Sequence, residues 1–260
     1  MLPNPALYVR VLFLQKIVYT IIMIKVLYED NHIIAVYKPS GVLTQGDRTG
    51  DSCLMDDVRN YLMEKKNKKT PSNPSGQAGN VFLGLVHRLD KPVSGIVLFG
   101  KTSKGASRLS EQFRNHTIQK TYHAVVVGRP KEEKGSIKEK VNKISFFAEG
   151  FTNKSDEELL AEIKKATKTR TAELEYEVVK KNDKYSLLKI LPKTGRFHQI
   201  RIQMANLNCP ILGDSKYSKQ SPFQDGSIAL SATAISFKLA TEDKVMNLEI
   251  PLPESWRRYI

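Results

Sequence analysis

The sequence predicts one α/β domain of the α+β type, and three observations lead there. Short runs rich in β-branched and aromatic residues recur along the chain, bounded by Gly, Pro, Asn and Asp. Segments with apolar residues three and four apart fall between some of these runs. No repeated strand–helix–strand period, internal repeat or linker divides the chain. At 260 residues, with 40% hydrophobic and 8% aromatic content, it can bury a sizeable core without help from disulfides or metal.

The elements follow in chain order. Residues 1–31 are apolar in part, but Arg10, Lys16 and Lys25 leave segments short of the roughly 20 residues a spanning helix needs. No small-residue cleavage site follows, so neither a membrane span nor a secretion signal is expected. Met23 reads as the natural start, which makes residues 1–22 an upstream extension and 23–260 the domain. From Ile24, "IKVLYE" and "HIIAVYK" are two strands, the second closed by Pro39, Ser40 and Gly41. Residues 53–66 place Leu54, Val58, Tyr61 and Leu62 at helical spacing, with Ser52 as the N-cap and a charged opposite face. Residues 65–80 are basic, Pro-, Ser- and Gly-rich, and read as a loop.

"GIVLFGKT" is then a strand, Ala106, Leu109 and Phe113 mark a short helix, and "QKTYHAVVVG" is a strand of mixed faces. Residues 130–170 are rich in Lys and Glu, with a brief apolar patch at 144–147, and are expected to be a solvated surface excursion. "AELEYEVV" and "YSLLKILPKTG" are two strands joined by "KKNDK". Phe197, Ile200, Met204 and Leu207 form one stripe of a late helix facing the core. Strands near "SIALSATAISFKL" and in "VMNLEIPLP" close the domain.

Charge narrows the partner. Forty-one basic against twenty-seven acidic side chains give +14, the sign that attracts polyphosphate backbones. An anionic membrane surface would want a basic amphipathic helix with an aromatic face, and none is found. Cys53 and Cys209 stand far apart with no Cys or His pattern nearby, so neither a zinc site nor a disulfide framework is expected, and a reducing, cytoplasmic setting fits.

Residues 84–103, "GLVHRLDKPVSGIVLFGKTS", set His87, Arg88, Asp90 and Lys91 directly ahead of the buried-looking run Ile96 to Phe99. Advancing about 100° per residue along the late helix puts Arg201 on the flank of its apolar stripe, half-shielded and in need of a carboxylate. Positions three and four away hold no acid, so the partner is long-range. Asp90 is preferred; Asp214 of "PILGDSKY", as a purely structural bridge, is the rival, and spacing leaves both open.

Four segments, "YEDNHIIAVYKPSGV", "GLVHRLDKPVSGIVLFGKT", "QKTYHAVVVG" and "TGRFHQIRIQMANLNCPILGDSKY", in this order resemble the RluA family of RNA pseudouridine synthases. The "HRLD" and "TGRxHQIR" blocks carry most of the specificity, and the resemblance runs from about Lys25 to the C-terminus. It implies a mixed, largely antiparallel sheet flanked by helices with a central active cleft. It also implies isomerisation of uridine to pseudouridine in structured RNA, ribosomal first and transfer RNA as the alternative, by a cytoplasmic monomer with no cofactor or metal. Asp90 becomes the catalytic aspartate, Tyr122 the aromatic that packs on the target base, Arg201 the partner of Asp90, and Arg88 the base-displacing arginine. Lys38, Lys91, Lys120 and Arg196 are expected along the RNA approach. Gln203 stands where relatives commonly carry His, and no room is found for an N-terminal S4 domain.

The chemistry asks for these residue types. A glycoside hydrolase needs two carboxylates, one to protonate a departing alcohol and one to activate water. In the isomerisation the detached base is both leaving group and returning nucleophile, so one suffices. Whether that carboxylate attacks the sugar, stabilises positive charge on it or assists loss of the C2′ proton, it must be ionised, and a guanidinium opposes the upward pKa push of burial. His87 and His198 are read as structural hydrogen-bonding groups. Two rivals remain: a non-catalytic RNA-binding or ribosome-assembly protein, and an RNA hydrolase or N-glycosidase, which needs a second acid or a metal cluster.

Overall fold

Strands apolar on both faces must lie between two layers, and Ile33, Ile34, Ala35 and Val36, like Ile96, Val97, Leu98 and Phe99, are at most 1% exposed. The computed structural model describes residues 24–47, 52–69, 81–141, 170–218, 221 and 223–260. The expected extension 1–22, the loop 70–80 and the apolar patch 144–147 lie outside the described residues.

One ten-stranded sheet contains β1 (Val26–Glu29), β2 (Ile33–Lys38), β3 (Gly84–Leu85), β4 (Ser94–Gly100), β5 (Gln119–Val127), β6 (Lys134–Val141), β7 (Arg170–Lys181), β8 (Tyr185–Pro192), β9 (Leu230–Lys238) and β10 (Val245–Glu249). The order is β1-β2-β4-β9-β5-β8-β7-β6, with β3 against β4 and β10 against β9. Pairing is antiparallel throughout the described sheet except between β4 and β9. That one parallel contact brings Ser94 and Gly95 against Ser231 and Ala232, and the two serine hydroxyls meet at 3.0 Å. At Gly95 φ is +132°, and a Cβ would collide with the Ala232 backbone, so only glycine lets the strands close here.

Two apolar layers cover the sheet. On one face Ile34, Val36, Val97 and Phe99 pack with Leu54, Val58 and Leu62 of α1 (Leu54–Lys69) and with Ile200 and Met204 of α3 (Gln199–Asn206). On the other, Ile33, Ala35, Ile96 and Leu98 pack with Leu109 of α2 (Ser103–Arg114), whose first turn is capped by the Thr102 hydroxyl accepting from the Gly105 N–H at 3.1 Å. Each of these aliphatic side chains contributes about 1.5–3 kcal/mol by leaving water.

Three expectations need correction. The helix after Ser52 runs on to Lys69, past the predicted end at 66. Residues 134–141, expected as a solvated excursion, form edge strand β6: Ile137 and Val141 turn inward, while Lys134 and Lys138 reach Glu177 and Glu173 of β7 at 2.7 and 3.0 Å. The late helix begins only at Gln199, because His198 takes a left-handed conformation (φ 48°), so Phe197 falls outside the helical stripe.

Candidate active site

Asp90 lies in the loop between β3 and β4, where the chain leaves one strand and must return beside it. That loop is tied down from several sides. The Thr44 hydroxyl donates to the Leu89 carbonyl at 2.9 Å and accepts from the Leu89 N–H at 3.1 Å. The Val93 N–H donates to the Asp90 carbonyl at 3.0 Å, closing a turn around the aspartate. Nε2 of His87 accepts from the Leu98 N–H at 2.9 Å, and its ring lies against Phe113. Burial, helped by the charge of Lys120, holds His87 at about 3, so it is neutral and its acceptor nitrogen is already used.

Lys38 corrects an expectation. Instead of lining the RNA approach it is 0% exposed, and its Nζ donates to the carbonyls of Val42 (2.7 Å), Pro39 (3.0 Å) and Lys91 (3.2 Å). Burial lowers its pKa to about 7, against the pull of Asp90. The side chain is a strut between the Pro39–Val42 turn and the Asp90 loop, assisted by the Gly41 N–H, which donates to the Lys91 carbonyl at 2.8 Å. We expect Lys38→Met to strand buried carbonyls and cost at least about 2 kcal/mol in urea unfolding. A phosphate contact would instead lower the salt slope of RNA binding by about one; that slope stays unchanged.

Arg201 is 5% exposed, brought in by the same helix that buries Ile200 and Met204. Both carboxylates left open by the sequence meet it. Asp214, 1% exposed, takes the two-pronged contact: Nε donates to Oδ2 at 2.7 Å and Nη2 to Oδ1 at 2.8 Å. Asp90 Oδ2 lies 3.5 Å from the remaining Nη1. The preferred partner is therefore the outer one, and the supposed structural rival orients the guanidinium toward it. Burial raises the Asp90 pKa; Arg201, Arg88 and Lys38 oppose the rise without cancelling it.

Asp90 borders two hollows. The larger, of about 530 Å³, is lined by Arg88, Asp90, Lys120, Tyr122, Arg196 and Arg201 among others, which gathers the predicted site residues except Lys38 and Lys91, the latter bordering the second hollow. The second, of about 460 Å³, lies beyond Arg88 and Asp90 and is bordered by Thr44, Phe197 and Lys216. The larger volume is in the range of small-ligand pockets. Tyr122 is half-buried on β5, opposite Ala232 and Ile190, where the β5–β9 register shifts by one residue. Burial and the negative charge of Asp90 push its hydroxyl above the ordinary phenol value, so it stays protonated. Lys120 is half-buried, its ammonium lowered by burial, and its Nζ lies against Gly195. Nε of Arg196 donates to the Thr171 carbonyl at 3.0 Å, holding the guanidinium at the rim, while Arg88 is exposed at the mouth.

Gln203 borders neither hollow. It is buried, with Nε2 donating to the Ile137 and Ala172 carbonyls at 3.3 and 3.5 Å, so the departure from the family's histidine affects how α3 docks on β6 and β7. Sequence reasoning missed Thr44 and Tyr217. Thr44 carries no distinguishing signal, whereas Tyr217 stands three residues after Asp214 in a segment already singled out. Its hydroxyl lies 2.8 Å from Nδ1 of His198.

Comparisons with known proteins bear on the family and the fold. A profile of the family described as RNA pseudouridylate synthase matches residues 32–206, more than half of the chain. The chain is 30% identical over 246 residues to a tRNA pseudouridine synthase C of Pectobacterium carotovorum subsp. carotovorum, an alignment covering 90% of this chain and 61% of that protein. It is 31% identical over 235 residues to a ribosomal large subunit pseudouridine synthase C of Rickettsia bellii, covering 89% and 69%. The chain thus spans less than two thirds of the Pectobacterium protein's length. Among solved structures, human RNA Pseudouridylate Synthase Domain Containing 4 shares the fold, with a TM-score of 0.69 at 22% identity over 94% of this chain and 95% of that one.

Proposed function

Because the chain belongs to the RNA pseudouridylate synthase family, we propose that it converts uridine to pseudouridine at defined sites in structured RNA, ribosomal RNA first. One observation carries this reading: among the described residues lining the larger hollow, Asp90 is the single carboxylate, and a guanidinium delivered by a second carboxylate faces it. A hydrolase of the two-acid kind lacks its second acid there.

In this reading the target uridine turns out of its stack into the hollow, at a cost of a few kcal/mol that is smallest in a loop. Tyr122 offers the uracil a flat face. Asp90, as the anion, acts at the sugar while the N1–C1′ bond breaks. The freed uracil turns and C5 bonds to C1′, C5 gives up its proton, and N1 gains one. Nothing is oxidised, and no other atom leaves. Arg88 fills the vacated stack, and Lys120 and Arg196 add positive charge along the wall. A net charge of +14 supports an RNA partner, and binding weakens steeply with salt.

The test is incubation with RNA tritiated at uridine C5. Tritium entering water without free uracil is the expected result. Free uracil marks a glycosidase, and binding without either product marks a non-catalytic RNA-binding protein. Mapping pseudouridines in RNA from cells with and without the protein identifies the target. Sites in transfer RNA would favour the activity named for the Pectobacterium relative. We further propose that residues 23–260 act as a monomer in the cytoplasm. Cys53 and Cys209, both buried as free thiols, fit a reducing compartment. No helix among the described residues is long and apolar enough to cross a membrane.

A further inference from the structure

Asp90 faces a second group besides Arg201. Nε2 of His198 lies 3.5 Å from Asp90 Oδ2, the same oxygen that Arg201 approaches, and among the described residues both side-chain contacts of Asp90 fall on that oxygen. The other ring nitrogen, Nδ1, faces the Tyr217 hydroxyl at 2.8 Å and Nη1 of Arg201 at 3.2 Å, while the same Nη1 lies 3.4 Å from Nε2. The ring itself is held flat on Phe197, with centroids 3.9 Å apart and planes 12° from parallel, by a left-handed backbone at His198. A non-glycine residue keeps that conformation only where its surroundings enforce it.

A neutral imidazole offers one N–H and one lone pair, and its neighbours decide which nitrogen carries which. Burial and the adjacent Arg201 cation hold His198 at about 3, so the ring is neutral. A proton on Nδ1 would point at the guanidinium, which can only donate, and would turn the Nε2 lone pair toward a carboxylate. A proton on Nε2 sets a donor against the carboxylate and a lone pair against the shorter guanidinium approach and the phenol, leaving only the longer Nη1–Nε2 approach unmatched. The Tyr217 hydroxyl is pushed up to about 12, chiefly by burial, so it keeps a proton that it can donate to Nδ1.

We infer that His198 is a positioning residue for Asp90: locked as the Nε2–H tautomer by the Tyr217 hydroxyl, it donates to Oδ2 and leaves Oδ1 as the oxygen presented to the substrate. The inference rests on Asp90 being the reacting carboxylate. A separation of 3.5 Å is long for a hydrogen bond, as is common before substrate closes a site, and it shortens when the hollow is filled.

The tautomer is read without RNA, from ¹⁵N spectra of the whole protein labelled at histidine. Five histidines are present, and the His198 signals are those that vanish in His198→Gln. Expected are an unprotonated Nδ1, a protonated Nε2 whose proton signal moves in Asp90→Asn, and loss of this single form in Tyr217→Phe. In single-turnover tritium release Tyr217→Phe falls roughly tenfold, with RNA affinity unchanged. His198→Gln, whose amide N–H reaches the place of Nε2, stays within about fivefold of wild type, while His198→Asn, too short to reach it, loses about a hundredfold. A proton on Nδ1, a charged ring, or equal losses in the Gln and Asn variants would overturn the assignment. A wild-type protein that releases no tritium refutes the isomerase reading instead, whatever the tautomer.

Discussion

Asp90→Asn lowers single-turnover tritium release at least about 10³-fold, the scale on which loss of a reacting group is felt, while the Kd for RNA changes by no more than about threefold. The amide keeps the size of the carboxylate and can still accept from Arg201 and His198, so the loop should hold its shape. What it loses is negative charge, which every route at the sugar requires. Affinity rests on phosphate contacts to cations, and removing an anion beside Arg88 and Arg201 moves binding toward tighter association. Stability gives an independent sign. The folded-state pKa of Asp90 is raised, burial outweighing its cationic neighbours, so the folded protein binds this proton more tightly than the unfolded chain does. That contribution is full below the unfolded carboxylate value and is lost as pH rises through the folded one. At neutral pH the ionised group therefore burdens the fold, and Asp90→Asn melts at the same temperature as wild type or higher. Full turnover in this variant would falsify the assignment of Asp90, and lost turnover together with a lowered melting temperature would trace the defect to folding.

Local pattern carried much of the architecture. The runs at Ile33–Lys38 and Ser94–Gly100 and the spacing of Leu54, Val58 and Leu62 are visible before folding because burial repeats with the period of the element. Where burial is one-sided and sparse the pattern fades: β6 has only Ile137 and Val141 facing inward, and its cross-strand ion pairs with β7 cannot be read from either strand alone. Backbone conformation is hidden too. Phe197 continues the apolar spacing of the late helix, but the left-handed turn at His198 takes it out of that helix and stacks it on the imidazole.

Within the site, Asp90 and Arg201 were legible from two dense motifs and Tyr122 from the segment "QKTYHAVVVG", and folding brings all three around one hollow. Lys38 was misread for a physical reason. A lysine beside a Pro-Ser-Gly turn resembles surface charge until a carbonyl 53 positions away, that of Lys91, folds over it. The choice between Asp90 and Asp214 as partner of Arg201 was undecidable from spacing because the guanidinium has enough donors for both.

That double contact governs the second large effect. In Arg201→Met the acid side of the pH–rate profile moves to higher pH and turnover falls about 10²–10³-fold near neutrality. The direction follows from charge: Arg201 is the foremost of the groups holding the Asp90 pKa down against burial, so its removal lets that pKa climb, and the active anion is lost at a higher pH than before. The deficit is therefore larger at pH 6 than at pH 8. The same substitution strands Asp214, 1% exposed, without its two-pronged partner, a loss of about 3–5 kcal/mol for a broken buried pair. A destabilised protein could imitate a catalytic defect, and the double variant Arg201→Met, Asp214→Asn separates them. Neutralising the stranded carboxylate recovers much of the melting temperature, yet Asp90 still lacks its guanidinium, so neither the rate nor the acid limb returns. Arg201→Lys does not substitute, because one ammonium cannot span two carboxylates with the geometry of a planar fork. An acid limb that stays in place in the refolded double variant would mean that Arg201 serves Asp214 alone, and that the charge on Asp90 is kept by Arg88 and Lys38.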